Sequence, residues 1–342
     1  MSLVKFIVKR FLVLIPTLMA VIVISFLLGH FMPGNPFFGH VTRISQHEAD
    51  KVAELTALYG VDLPIWDQFL MYLRNLITGN WGTAWSYYFF RMPVSTIIRF
   101  SLPRTLELMG LSLIVAFFLG KLLGGQVFSK KNKTRNNFVR FSLILISSIP
   151  VLLSGLVIQI LLNKTPLREF TFGLSTHNQF PPFVTGMALL DCLIAGDLIL
   201  FLDVALHYLL PVLVLSLPML VIISQHVRSS VLDIMENDYI RTARAKGVPE
   251  KSVLHKHIYP NAMNTTLTII GSSFSLFFVN AALVENVFRL NGIASLTIRA
   301  LIFHDFNVIV GCFTVMSLLI TIMNFFTDIL YGLLDPRLRY LY

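Results

Sequence analysis

Charge is what this sequence lacks most. Only 13% of its 342 residues are Asp, Glu, Lys or Arg, about half the share of roughly 25% that a water-soluble domain carries. A chain so poor in charge cannot clothe an ordinary solvated surface, which argues against a free soluble enzyme. Cysteine is nearly absent too. Cys192 and Cys312 fall in a loop segment and in an apolar run, a placement that argues against a disulfide between them. Nucleotide-hydrolysing and hydrolytic motifs are also missing. The Gly120-Lys121 pair has Val115 where a P-loop needs glycine and Leu122 where it needs Ser or Thr. His47-Glu48 lacks the second histidine of a zinc-protease helix, and no G-x-S-x-G occurs. No internal repeat of the inverted-transporter kind stands out.

What is present is apolar length. Hydrophobic residues make up 55% of the chain, and the mean hydropathy is +0.74. A bilayer core takes about 20 apolar residues per helix. Charge-free runs of that order lie at 11–29, 141–162, 208–225, 262–284 and 306–327, and 106–128 joins them with Glu107 and Lys121 near its ends. The reading is an all-α membrane protein with six transmembrane helices. The stretch 183–202 contains Asp191 and Asp197, each costly at mid-bilayer, and is read as an interfacial or loop segment. The first run begins with basic residues like a signal peptide, but it is too long and no small-residue cleavage site follows. It is read as an uncleaved anchor.

Lys and Arg set the orientation. With the N-terminus inside, the inner segments hold 16 of them and the outer segments ten, six of these in the long segment 30–105. The short connection "SKKNKTRNNFVR" is the strongest indicator. Both termini are therefore expected in the cytoplasm, with 129–140 and 227–261 inside and 33–100 and 163–205 outside. The formal net charge of +9 follows from this edge placement and does not call for nucleic acid. Three parts are expected: 1–100, the first span plus an outer helical cap; 101–332, the main transmembrane domain; and 333–342, a cytoplasmic tail. In the cap, Val52, Leu55, Leu58 and Tyr59 recur at helical spacing, as do Trp66, Phe69, Leu70 and Leu73 before a Gly79 stop.

One inner passage stands apart, "DYIRTARAKGVPEKSVLHKHIYPNAM" at 238–263. Leu232, Met235, Tyr239 and Ala243 mark one helical face, with acids early and bases late, as the helix dipole favours. Gly247 fits a C′ position, and Pro249-Glu250 suits the first turn of a second helix. Val253, Leu254, His257 and Ile258 give that helix its apolar side, and Pro260 is expected to end it. A capped helical pair split by one glycine suits docking into a groove on a soluble partner.

This passage resembles the cytoplasmic loop of binding-protein-dependent ABC importer permeases, whose pattern is E-A-A, three residues, G, then a late I-x-L-P. Gly247 and Pro260 fall on its glycine and proline, and Arg241-Thr242-Ala243 stands where E-A-A does, a form similar to the dipeptide/oligopeptide/nickel branch. "MPGNP", "YGVDLPIWDQFLMYLRNLITGNWGTAW", "MPVSTIIRFSLPRTLEL", "SSIPVLLSG", "LVENVF" and "DILYGLLDPRLR" extend the resemblance to that branch's B-type permease over nearly the whole chain. The outer F-x-x-P-G-x-G of the family appears as Phe288-Arg-Leu-Asn291-Gly292-Ile-Ala294, without the proline and one glycine. The resemblance implies a type I ABC importer permease fold in a prokaryotic cell membrane. It further implies a similar second permease subunit, cytoplasmic ATPase subunits that hold ATP and Mg, and an extracellular substrate-binding protein, with membrane lipid around the chain. Peptides are the implied cargo; nickel or metal chelates and other small solutes are the alternative. The implied coupling loop is 231–260, carried by Asp238, Tyr239, Arg241, Thr242, Ala243, Arg244, Ala245, Lys246, Gly247 and Pro260. No cofactor is expected on this chain.

A membrane-embedded enzyme or an ion-coupled carrier would need facing ionisable groups inside the membrane, and the spans offer few. Glu107, the only acid within a span, reads as matched to Arg104 and to the positive start of its own helix in preference to a substrate contact. Span five carries small polar residues, among them Asn264, Thr268, Ser272, Ser275 and Asn280, which suit helix–helix hydrogen bonding or a wetted substrate pathway. Glu285, Arg289, His304 and Asp305 cluster at the outer connection, either touching substrate or a docked protein or forming a solvated loop.

Overall fold

The computed structural model describes residues 3–31, 63–84, 91–126, 133–176, 182–303 and 305–334. Among these, four helices are long and apolar enough to cross a membrane, or six if each of two bent pairs is one span. The straight candidates are α1 (Leu3–Phe31), α3 (Val94–Gly125), α7 (Leu198–Met235) and α13 (Phe306–Leu334). Third comes α4 (Lys133–Ser148) with α5 (Val151–Leu162), bent by 97° at Ile149-Pro150. The bend corrects the expectation of one continuous run at 141–162. Pro150 has no N–H to donate and disfavours helix in the residue before it, so it starts a new helix instead. The straight helices also outrun their apolar runs, α3 and α7 the most: α3 starts 12 residues before position 106, and α7 starts ten before position 208 and continues ten past position 225. Charge-free length marks what lipid tolerates, and a helix needs no lipid to continue.

Helix α3 lies along α7 as the most extensive pairing, and small residues permit it. A Cβ on Gly120 would sit 2.7 Å from Ile223 Cγ2, and one on Gly124 would sit 2.5 Å from the Ser224 carbonyl oxygen. The Gly-x-x-x-Gly spacing lets two backbones approach where lipid supplies no hydrophobic drive. The main core gathers around this pair, with Leu108, Leu215, Ile223, Phe277, Phe288 and Ile293 all buried.

Helix α1 packs against α13, with Arg10 paired to Asp328 at 2.9 Å and Phe11 edge-on to Phe325. Helix α2 (Ile65–Thr78) ends at Gly79, whose φ is +72°. Its Phe69 stacks edge-to-face on Phe26 of α1, and the Tyr72 hydroxyl meets Thr314 Oγ1 of α13 at 2.7 Å. Phe69 is thus covered by span one, whereas Trp66 stays 67% exposed. The other expected cap helix, with Val52, Leu55, Leu58 and Tyr59, lies outside the described residues, as do "MPGNP" and the tail from 335 onward.

The segment 183–202 is no span. It forms α6 (Ala188–Ala195), a turn at Gly196 and the start of α7. Cys192 and Cys312 are both buried free thiols.

Candidate functional site

Helix α7 stops at Met235, and α8 (Asp238–Ala245) follows after Glu236 and Asn237. The expected single face from Leu232 to Ala243 is therefore shared between two helices. Ile240, fully buried, seats α8 on the bundle, and Ala243 packs beside it. Asp238, Tyr239, Arg241, Thr242, Ala245 and Lys246 are exposed. The carbonyl of Asp238 accepts the Thr242 hydroxyl at 2.9 Å, and its carboxylate stands 3.4 Å from Arg241. Both charged groups are solvated, so that pair contributes little.

The turn after α8 is a Schellman motif. The N–H of Gly247 reaches the Arg244 carbonyl at 3.0 Å, and the N–H of Val248 reaches the Ala243 carbonyl at 3.2 Å. Gly247 has φ +74°, and a Cβ there would meet nothing within 4 Å. The demand for glycine is conformational, not steric. Across the turn the Arg244 guanidinium donates to both oxygens of Glu250, at 2.7 and 3.1 Å, which raises the Arg244 pKa above its ordinary value. The pair is half-exposed, worth less than about 1 kcal/mol, yet its fork geometry fixes the angle between α8 and α9 (Glu250–Val253).

Pro260 does not end the second helix. Helix α9 passes through a π turn, Leu254–Ile258, into α10 (Tyr259–Ser272), which is the first half of span five. In the π turn the Tyr259 N–H reaches back to Leu254 O, and Pro260 then falls in the first turn of α10, where its missing donor costs least. Consequently the expected loop 231–260 contracts: its beginning belongs to α7, its end to span five, and only 236–249 projects. Val253 and Ile258 are buried as the apolar side requires.

Span five breaks again between α10 and α11 (Phe274–Phe288), by 57°. Its small hydroxyls mostly bond to their own helix, Thr265 and Thr266 to the Ala262 carbonyl and Ser272 to that of Ile269. Thr265 also meets Ser230 of α7 at 2.8 Å. Asn264, Ser275 and Asn280 are half-buried, and the Thr268 side chain lies outside the described residues.

At the far end of span five, Glu285 is buried, 1% exposed. One carboxyl oxygen accepts the Thr105 hydroxyl of α3 at 2.5 Å and the other accepts the Ser295 N–H at 2.8 Å. Thr105 in turn accepts the Ile293 N–H at 2.9 Å. Together they cap α12 (Ile293–Ile302), whose own N-cap residue, Gly292, has no side chain to do so. A Cβ on Gly292 would collide with the Glu285 carboxyl group, so the glycine kept in "NGIA" is the one this packing requires. Glu107 does the same for α6. Its oxygens accept the Ala188 and Leu189 N–H groups at 2.7 and 2.9 Å, and Met187, the N-cap of α6, makes no side-chain bond. Since α3 begins at Val94, Glu107 caps a distant helix rather than its own, which corrects the expectation. Asp305 is also buried, so the two acids of this cluster are not solvated, whereas Arg289 is exposed and lies over the Phe172 ring at 5.2 Å; His304 is outside the described residues. Asp191 takes the N–H groups of Val184, Thr185 and Gly186 and the Thr185 hydroxyl. Burial works to raise its pKa, but those bonds outweigh it and the net shift is downward.

The family model described as "Binding-protein-dependent transport system inner membrane component" matches residues 112–340, and that family's N-terminal model matches residues 3–109. The chain is 30% identical to the dipeptide transport system permease protein DppB of Lactococcus lactis over 336 residues, covering 98% of this chain and 99% of the relative. It is likewise 30% identical to DppB of Escherichia coli K12 over 343 residues and to the oligopeptide transport system permease protein AppB of Bacillus subtilis over 338, at 98% and 99% coverage in each case.

Proposed function

The chain belongs to the family of binding-protein-dependent transport system inner-membrane components, and on that premise we propose that it is a peptide-importing permease subunit of a prokaryotic cell membrane. It is a multi-pass membrane protein of the type I importer permease fold. Peptide cargo is carried over from relatives named for dipeptide and oligopeptide transport. In this reading both termini are cytoplasmic, a second permease of similar fold pairs with this chain, and an extracellular binding protein delivers the peptide. Separate ATPase subunits hold ATP and Mg and hydrolyse the nucleotide.

The observation that carries the reading is α8, a short rigid helix between spans four and five. It is seated by Ile240 and fixed by the Gly247 turn and the Arg244–Glu250 fork, with Asp238, Tyr239, Arg241, Thr242, Ala245 and Lys246 displayed outward. When the ATPases close, a groove on their surface moves α8, and α8 moves α7, joined to it by Glu236 and Asn237, and α10, joined to it through the Gly247 turn, α9 and the π turn. Segment 163–205 and the α12 connection then form the outer side, on which the binding protein docks.

The test is reconstitution of this chain with its candidate partners in liposomes. ATP-dependent accumulation of a labelled dipeptide is expected, and a labelled nickel chelate should not accumulate. Uptake of the chelate alone would contradict the cargo. Topology is tested separately by cysteine labelling of intact cells: a cysteine at position 164 should label from outside and one at 133 should not.

A further inference from the structure

Between α3, α4 and α7 lies a cleft of about 420 Å³ that the transport reading leaves unused. Leu123, Leu143 and Leu232 line it, and Arg140, Arg228 and Gln225 supply its polar side. Neither arginine is among the ion pairs of the described residues. For Arg140 the chain offers no carboxylate nearby, because no Asp or Glu occurs between Glu107 and Glu169; for Arg228 there is Asp233 five residues on along α7, and it is not among the ion pairs either. Two cations therefore face an apolar cleft without a counterion from α3 or α4. From its mouth, Phe138, Phe141 and Leu145 continue along α4 as an exposed apolar face, at 69%, 59% and 50% exposure.

We propose that this cleft holds the headgroup of an anionic phospholipid of the inner leaflet, with its acyl chains along α4. A soluble anion would use the arginines but leave the leucine wall and the α4 face without a role. A neutral lipid would cover the apolar surface but leave both charges uncompensated. An anionic phospholipid meets both, and basic pockets between spans at the cytoplasmic side take such headgroups. The volume suits a phosphodiester headgroup and the first part of its chains. Assignment to the inner leaflet rests on the topology proposed above; binding itself does not.

Native mass spectrometry of the complete assembled importer, titrated with phosphatidylglycerol or phosphatidylcholine, tests the idea. One phosphatidylglycerol per copy of this chain should survive gentle activation, in preference to phosphatidylcholine. With each base near an anionic headgroup contributing a factor of about five, Arg140→Gln and Arg228→Gln together should weaken it about 25-fold. Ser229→Trp, which fills the cleft and keeps both arginines, should weaken it also. Lys164→Gln with Arg168→Gln, the same loss of two charges at exposed positions elsewhere, should not. Equal retention of the two lipids, or unchanged phosphatidylglycerol in both cleft variants, overturns the proposal, as it would if the second permease covers this face. Displacement by inorganic phosphate at matched concentration makes it a small-anion site and overturns the lipid assignment. Because lipid is supplied from both sides, a reversed topology would show only in the cysteine labelling.

Discussion

Two short helices lie at the two ends of span five, α8 of eight residues and α12 of ten, and they are held in opposite ways. What sets the turn after α8 is close in sequence: the Gly247 turn closes on Ala243 and Arg244, and Arg244 reaches six residues to Glu250. What fixes α12 comes from within the spans. Thr105 reaches it across 188 positions, and Glu285 caps it from α11. Local fixing leaves α8 attached to the bundle mainly through Ile240, so it can shift as a unit and carry force to α7 and α10. Distant fixing welds α12 to α3 and α11, so the far end follows whatever the spans do. On the proposed reading, one end receives motion and the other follows it.

The comparison breaks first at Glu285. Glu285→Ala leaves the Thr105 hydroxyl and the Ser295 N–H buried without an acceptor, a loss of about 2–6 kcal/mol at 1–3 per group. We expect poor accumulation and a markedly lower melting midpoint of the purified complex. Glu285→Gln, which keeps an acceptor oxygen, should recover part of it. Should alanine at 285 leave the midpoint unchanged, the clamp is not structural.

The next effect is smaller and depends on pH. With its pKa depressed in the fold, Asp191 contributes stability that is fully present above its unfolded value of 3.8 and is lost as pH falls through the lower folded one. Hydrogen exchange of 184–186 should thus be slow at neutral pH and accelerate only below about pH 4. Asp191→Asn should remove that acid-dependent step, with exchange already faster at pH 7. An unchanged acid profile in the variant would assign the protection elsewhere.

The smallest effect sharpens the local side. Arg244→Glu should disturb the angle between α8 and α9 and reverse a displayed charge, whereas the double exchange Arg244→Glu with Glu250→Arg restores the pair. Stability should change by less than about 1 kcal/mol in either case. Uptake should fall in the single variant and recover in the exchange. Recovery that fails would mean the ATPase reads the Arg244 charge directly, and then salt should modulate the defect.

Reading the sequence served best where the physics is local. Charge-free runs located the spans, because a bilayer excludes charge residue by residue, and Gly247 announced its turn because a left-handed residue needs no distant partner. Pro260 misled for a related reason. Its effect depends on the helix register before it, and the π turn at Leu254–Ile258 moves that register. The cap from Glu107 was out of reach, since it serves a helix 81 positions away, and Glu285, only ten positions from Ser295, acts with Thr105 across 188 positions, an encounter that no sequence spacing encodes. A signal was nevertheless available: the N-cap positions of α6 and α12 hold Met187 and Gly292, neither with a side chain that accepts from its own helix, so each needed an acceptor from elsewhere. Glu107, the lone acid within the apolar runs read from the sequence, was the candidate to supply one.

The central claim is that α8, set at a fixed angle by Gly247, couples ATP hydrolysis to transport. It is tested most directly by Gly247→Val in the reconstituted complex with all partners, measuring peptide accumulated per ATP hydrolysed. The site has room for the side chain, so the spans should insert and the protein accumulate normally. Only the backbone is strained, by about 1–3 kcal/mol for a β-branched residue at positive φ. The account predicts a fall in that ratio of roughly tenfold, with ATP hydrolysis continuing but no longer stimulated by loaded binding protein. Normal uptake by Gly247→Val at normal abundance would contradict it and leave 236–249 as a basic tether.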